Sequence, residues 1–153
     1  MIYPIHNLVE DRLYSAVVIK DEQRFWKRVL IVDDDADLSM TFREAIQDSN
    51  KDVHVNKRIE VYTSNDPVMS LSEFKPNFYD LLLVDINMPR MNGFELCEKI
   101  LAIDINVRVC FMSNGEINRE ALREIYPTRQ EGCFIRKPVS IDYFVKRIRS
   151  ELD

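Results

Sequence analysis

The feature that most constrains this chain is an apolar run that stops abruptly at a carboxylate. Leu81 to Val84 are all aliphatic, and Asp85 follows them directly. A run this short and this uniformly apolar is typical of a central strand covered on both faces, as in parallel α/β sheets. Pro89 and Gly93 then end the strand and favour a turn. Because ligands of such sheets bind beyond the carboxyl ends of the strands, Asp85 is predicted to meet one.

The same alternation of strand and helix repeats from Arg28 to the end of the chain. Apolar runs predict strands at Val29 to Val32, Ile59 to Tyr62, Leu81 to Val84, Val107 to Met112 and Cys133 to Ile135. Between and after them, apolar stripes predict five helices, which contain Phe42, Leu71, Cys97, Ala121 and Phe144 respectively. The second helix is predicted to begin with Asp66 as its cap and Pro67 at the first helical position, and its stripe is Val68, Leu71 and Phe74. Five such strand–helix units imply right-handed crossover connections between parallel strands. We therefore predict a doubly wound parallel sheet with helices on both faces. The second strand alternates and is predicted near an edge.

Polar residues at the strand ends supply the functional signal. Asp33 and Asp34, Asp85, Ser113 and Lys137 each follow or end a predicted strand. Since parallel strands end at the same edge of a sheet, these side chains are predicted to converge there. Each alone has an ordinary explanation as a capping or surface residue, but that explanation gives no reason for all five to occur in this order.

Composition limits the classes of protein to consider. The chain has 153 residues, a hydrophobic fraction of 46% and a net charge of -5, which fit one globular domain that does not attract nucleic acid through its charge. Without an apolar run of about 18 residues or a leader, we expect a cytoplasmic protein that does not contact membranes. Cys97, Cys110 and Cys133 are odd in number and lack metal-ligand spacing, so we predict buried free thiols. His6 and His54 are interpreted as surface residues.

From Arg28 to Asp153 the chain resembles the receiver domain of two-component response regulators. The acidic pair Asp33-Asp34, the stretch around Asp85 that reads VDINMPRMNG, Ser113, Phe134 and Lys137-Pro138 carry this resemblance. It implies a flavodoxin-like sheet of order 2-1-3-4-5, residues 28–153 as the receiver, and residues 1–27 as an extension.

The resemblance also implies the chemistry of the site. Asp85 is the phosphoacceptor, and Mg²⁺ or Mn²⁺ binds through Asp34, Asp85 and the backbone carbonyl of Asn87, with Asp33 acting mainly through water. Lys137 contacts the phosphoryl oxygens from a cis Lys137-Pro138 peptide bond. Ser113 and Phe134 are the switch residues that report the modification.

The implied function is a phosphoacceptor in a phosphorelay, which is not classed as an enzyme. A sensor histidine kinase or a phosphotransfer protein donates the phosphoryl group, and an unidentified protein receives the signal, with no direct binding of nucleic acid. By resemblance, the output face comprises the fourth helix, the fifth strand and the fifth helix, where Tyr143, Lys146 and Arg147 lie off the apolar stripe.

Three alternatives use related folds. A degenerate receiver that serves only for binding or dimerisation would have lost Asp85, Lys137 or an acidic residue, and this chain has kept them. A phosphohydrolase would want a second acid two residues after the nucleophile, where Asn87 stands. A flavodoxin would have a phosphate loop rich in Ser, Thr and Gly after the first strand, and this sequence lacks such a loop there.

The chain also departs from the usual plan of a receiver. Asn114 follows the switch serine, where the family has a small residue, and the loop from Ser49 to Lys57 is long. No effector domain is expected after the fifth helix. Residues 1–27 predict a helix from about residue 8, although Tyr14 to Ile19 also fits a short strand. This extension is apolar enough to pack on its own domain or to form a homodimer, and the output face is a second candidate dimer contact.

Overall fold

One parallel sheet organises the part of the chain that the computed structural model describes, residues 25–115 and 133–153 with residues 120, 123 and 124. Its strands are β1 (Lys27–Val32), β2 (Ile59–Ser64), β3 (Leu81–Asp85), β4 (Arg108–Ser113) and β5 (Cys133–Arg136). The helices with defined bounds are α1 (Ala36–Ser49), α2 (Pro67–Glu73), α3 (Gly93–Ile103) and α4 (Ile141–Leu152). The strand order is β2-β1-β3-β4-β5, and every neighbouring pair is parallel. The predicted fold class and the edge position of β2 are confirmed.

Two predicted helices fall wholly or largely outside the described residues. One is the helix in the N-terminal extension, and the other is the fourth helix, which was predicted from Ile117, Ala121, Leu122 and Ile125. The fifth predicted helix is α4. None of the helices in the described ranges has the length and apolar composition needed to cross a membrane.

The central strand β3 divides the core between the two faces of the sheet. Leu81 and Leu83 lie in one buried cluster with Phe42 of α1 and Phe144 of α4, whose rings stack with centroids 3.9 Å apart. Leu82 and Val84 lie in the other cluster, which α3 completes. All five residues of β3 are buried. Side chains alternate along a strand, so a strand covered on both faces must be apolar throughout, as the sequence indicates.

Local capping fixes where the helices begin. Asp35 accepts a hydrogen bond from the Leu38 backbone N–H at the start of α1, and Asn92 and Ser140 cap α3 and α4 in the same way. Asp66 caps α2, and Pro67 occupies the first helical position, as predicted. The predicted apolar stripe of α2 is wrong at Val68, which is 42% exposed. The buried side of α2 instead runs through Pro67, Ser70 and Phe74, so Val68 lies beside the stripe and faces solvent.

The segment between α1 and β2 is more ordered than the predicted loop. It contains two short 3₁₀ helices, Asn50–Asp52 and Val55–Lys57. The side-chain amide of Asn50 donates to the Ile59 carbonyl at 2.8 Å and accepts from the Ile59 N–H at 2.9 Å. From α4, Arg149 donates to the Ser49 hydroxyl and the Lys57 carbonyl. These bonds satisfy polar groups that a loop of this length would otherwise leave to water.

The prediction of three free thiols is wrong for two of them. Cys110 of β4 and Cys133 of β5 are linked by a disulfide, and both are buried. They are register partners on neighbouring strands with Cα atoms 4.4 Å apart, a relationship that their separation of 23 residues hides in the sequence. Cys97 is buried in α3 and takes no part in this bond.

Candidate phosphoacceptor site

The register of the sheet brings four strand ends to one edge. Val32 pairs with Val84, Asp85 with Met112, and Ser113 with Arg136, so β1, β3, β4 and β5 end at nearly the same level. The residues that follow or end these strands are those singled out in the sequence: Asp33, Asp34, Asp85, Ser113 and Lys137.

Three carboxylates form the centre of this edge. One oxygen from each of Asp33, Asp34 and Asp85 lies within 4.8 Å of the other two. Asp33 and Asp85 are buried, with exposures of 0% and 4%, whereas Asp34 is exposed. Hard divalent cations prefer oxygen ligands, and Mg²⁺ keeps several waters when one or two carboxylates bind it. The donor set therefore fits a metal ion that is reached from the solvent side of Asp34.

Lys137 is the cation of the site. Its Nζ lies 2.7 Å from Asp33 Oδ2 and 3.4 Å from Asp85 Oδ1, and only 10% of its side chain is exposed. Burial alone would lower the pKa of Lys137, but the hydrogen bond and the charge of Asp33, followed by the charge of Asp85, raise it. The lysine is therefore charged at neutral pH. Lys137 comes directly after β5 and is the first residue of the cis Lys137-Pro138 peptide bond.

Asp85 is the least satisfied group of the three. Within the described part of the chain its buried Oδ1 has an ion-pair contact with Lys137 but no hydrogen-bond partner. Burial raises the pKa of Asp85, the charge of Asp33 raises it further, and Lys137 offsets part of the rise. A buried anion beside a second anion is incompletely neutralised by one ammonium group, so the site favours a further cation.

The loop after Asp85 is held close to the strand. The N–H of Gly93 donates to the Ile86 carbonyl at 2.8 Å, and a Cβ at position 93 would overlap the Asp85 carbonyl oxygen. Glycine is therefore needed for this close approach of the α3 N-terminus. Asn87, whose backbone carbonyl is an expected metal ligand, lies in this loop and is exposed.

The expected switch residues lie on β4 and β5. The Ser113 hydroxyl is buried and accepts a hydrogen bond from the Gly115 N–H at 3.1 Å, while Asn114 is exposed. The Lys137 N–H donates to the Ser113 carbonyl at 2.8 Å, which couples the two strand ends. Phe134 is half-buried and stacks on Phe111, with ring centroids 5.6 Å apart.

Sequence reasoning missed the contribution of the turn after β2. Asn65 donates from its side-chain amide to the Asp33 carbonyl at 2.9 Å, and Asp66 forms an ion pair with Arg90 in the loop after Asp85. Asp66 was predicted only as a helix cap. The position of Asn65 directly after an edge strand was the available signal, but neither contact can be read from residues so far apart in the chain.

Comparison with known proteins identifies the family that this fold and site define. The response regulator receiver domain family matches residues 29–149, and the chain belongs to that family. It is 34% identical over 87 residues to the chemotaxis protein CheY of Thermotoga maritima, covering 57% of this chain and 67% of that protein. It is 26% identical over 125 residues to the transcriptional regulatory protein RprY of Bacteroides fragilis, covering 82% of this chain and 49% of the relative. The chain thus spans about half to two thirds of these curated relatives.

Solved structures agree with this assignment. The non-phosphorylated receiver domain of HemR from Leptospira biflexa superposes with a TM-score of 0.68 at 25% identity, covering 83% of this chain and 94% of that one. A CheY-like receiver domain from Methanospirillum hungatei gives a TM-score of 0.65 at 22% identity, covering 84% and 94%. The second likeness supports the fold alone.

Proposed function

We propose that Asp85 accepts a phosphoryl group from a phosphohistidine of a sensor kinase or a phosphotransfer protein. The observation that carries this proposal is the buried Asp85 carboxylate beside Asp33, Asp34 and Lys137. Family membership supports a phosphoacceptor role, and the intact set of charged residues does not favour a degenerate receiver used only for binding.

Asp33, Asp34 and Asp85, with the Asn87 carbonyl, would hold a Mg²⁺ ion. Such an ion would supply positive charge to offset that of the carboxylates and of the phosphoryl oxygens. An Asp85 oxygen forms a bond to phosphorus while the bond from phosphorus to the donor nitrogen breaks, and the donor histidine leaves as a neutral ring after it takes a proton. Such transfers depend mainly on positioning and charge neutralisation, so a weakly nucleophilic carboxylate is adequate.

Lys137 and Ser113 act on the product rather than on the donor. The Lys137 ammonium is held beside Asp85 and can bind a phosphoryl oxygen as a point charge. The Ser113 hydroxyl donates to the Gly115 carbonyl at 3.3 Å, and it can instead donate that hydrogen bond to a phosphoryl oxygen. Movement of Ser113 leaves space for Phe134 to change rotamer, which would carry the change along β5 towards the surface.

The output is proposed to be a protein contact rather than direct nucleic-acid binding. Tyr143 of α4 is 55% exposed, and Lys146 is exposed beside it on the outer side of the helix. We also propose that the chain works in the cytoplasm, with residues 28–153 as the receiver and with its activity limited to its own phosphorylation and dephosphorylation.

Phosphorylation of the purified protein with a small-molecule phosphodonor and Mg²⁺ tests the proposal. Intact mass should show one base-labile phosphoryl group, which Asp85→Asn should abolish. Asp37→Asn is the matched control, because Asp37 is an exposed acid of the first turn of α1 outside the carboxylate cluster. An equal adduct on the Asp85 variant would contradict the assignment.

A further inference from the structure

The turn after β2 extends the pairing of β1 and β2 beyond the end of the strands. The Asp33 N–H donates to the Ser64 carbonyl at 3.2 Å, as a regular rung between parallel strands. The next bond comes from a side chain, because Nδ2 of Asn65 donates to the Asp33 carbonyl at 2.9 Å. Asn65 thus holds the peptide unit that joins Asp33 to Asp34.

Asp34 depends on that peptide unit more than Asp33 does. The Asp33 carboxylate has two further anchors, since it accepts from the Asp35 N–H at 2.9 Å and from Lys137 Nζ at 2.7 Å. Asp34 is exposed, and its side chain extends from the backbone that directly follows this peptide. Fixing the plane of the peptide between Asp33 and Asp34 therefore restricts the direction in which the Asp34 side chain leaves the backbone.

The same amide also contacts the start of α1. Asn65 Nδ2 lies 3.4 Å from the hydroxyl of Ser39, which is buried and donates to the Asp35 carbonyl at 3.0 Å. Asn65 is therefore connected to both ends of the turn from Asp33 to Asp35. Its own backbone is restrained by Asp66, which caps α2 and pairs with Arg90.

We propose that Asn65 is a positioning residue of the metal site, which holds the peptide between Asp33 and Asp34 so that the two acids present oxygens to one cation. This inference rests on the proposed function. Asn65 touches no reacting atom, and its contribution is the orientation of Asp34 before the cation arrives.

Calorimetric titration with Mg²⁺ alone tests this role without reference to phosphorylation. Asn65→Ala should weaken Mg²⁺ binding about fivefold, which corresponds to about 1 kcal/mol for one hydrogen bond. Asn65→Leu keeps most of the volume and removes the donor, so it should give the same loss. Asn56→Ala is the matched control, because Asn56 is an exposed asparagine in the second 3₁₀ helix, before the amino end of β2 and away from the carboxylates. This variant should bind Mg²⁺ as the wild type does.

Phosphorylation kinetics give a second readout. The Mg²⁺ concentration for half-maximal rate should rise by a similar factor in both Asn65 variants, while the rate at saturating Mg²⁺ stays within about twofold of wild type. Unchanged Mg²⁺ affinity, or loss in Asn65→Ala but not in Asn65→Leu, would overturn the proposal. If wild type binds Mg²⁺ but takes no phosphoryl group, the proposed function fails, and the calorimetric comparison still decides the role of Asn65.

Discussion

Replacing Lys137 with methionine should destabilise the metal-free protein strongly. Methionine preserves much of the side-chain volume but removes the ammonium that lies 2.7 Å from Asp33 Oδ2 and 3.4 Å from Asp85 Oδ1. Both carboxylates are almost fully buried, so water cannot replace the lost charge. Breaking a buried ion pair by removing one partner costs about 3 to 5 kcal/mol.

We expect a value near the lower end of that range, about 3 kcal/mol, because both carboxylates can adjust. Asp33 keeps its bond from the Asp35 N–H, and Asp85 can take up a proton since its pKa is already raised by burial and by Asp33. For a chain of 153 residues, this corresponds to a fall in Tm of about 6 to 12 °C. The fall should become smaller as the pH is lowered towards 3.8, the ordinary pKa of an aspartate, because Asp85 has a raised pKa and its protonation relieves the repulsion.

Thermal unfolding in EDTA and in millimolar Mg²⁺ measures the effect. Mg²⁺ should restore most of the lost stability of Lys137→Met, because a cation bound by the carboxylates replaces the missing ammonium. Lys27→Met is the control: Lys27 is half exposed and lies 3.6 Å from Asp80, so its loss should cost less than about 1 kcal/mol. Equal Tm values for the two variants in EDTA would refute the reasoning.

Three further predictions concern Asp85, the disulfide and the N-terminal extension. Asp85→Asn should raise Tm in EDTA at neutral pH, because a carboxyl with a raised folded-state pKa is destabilising when ionised. The gain in Tm should disappear as the pH falls towards 3.8, the ordinary pKa of an aspartate, and a gain independent of pH would contradict this. Dithiothreitol should lower the stability by about 3 kcal/mol through the bond from Cys110 to Cys133, in wild type and in Cys97→Ala but not in Cys110→Ser. Deleting residues 1–24 should lower either Tm or the number of copies per assembly, as measured by solution mass. No change in either quantity would show the segment to be a passive tail.

The sequence predicts the elements of this fold well because each signal is local. Uniform apolar runs mark strands buried on both faces, and Asp66-Pro67 marks a helix start that the structure reproduces. The predicted exposure of His54 also agrees with the structure. These features depend on residues within a few positions of one another, where propensity and periodicity apply.

The contacts that the sequence did not predict join distant parts of the chain. Cys110 faces Cys133 because of the register between β4 and β5, and Asn65 reaches Asp33 because β1 and β2 end together. Neither pairing has a local pattern. Val68 shows a different failure, since its spacing suits an apolar stripe but α2 buries the side that contains Pro67, Ser70 and Phe74.

The candidate site combines a rigid backbone with a carboxylate charge that is not fully neutralised. Asp85 ends a strand that is buried on both faces, and Gly93 lets the next helix pack against its carbonyl, so Asp85 has little freedom to move. The same burial deprives its carboxylate of water, and Lys137 is shared with Asp33. A carboxylate that cannot move and is not fully neutralised gains more from a divalent cation than an exposed one does. In the proposed function, a phosphoryl group would bring further negative charge to the same place. A response of Ser113 and Lys137 to that charge would link a local charge imbalance to a change on the surface of β5 and α4.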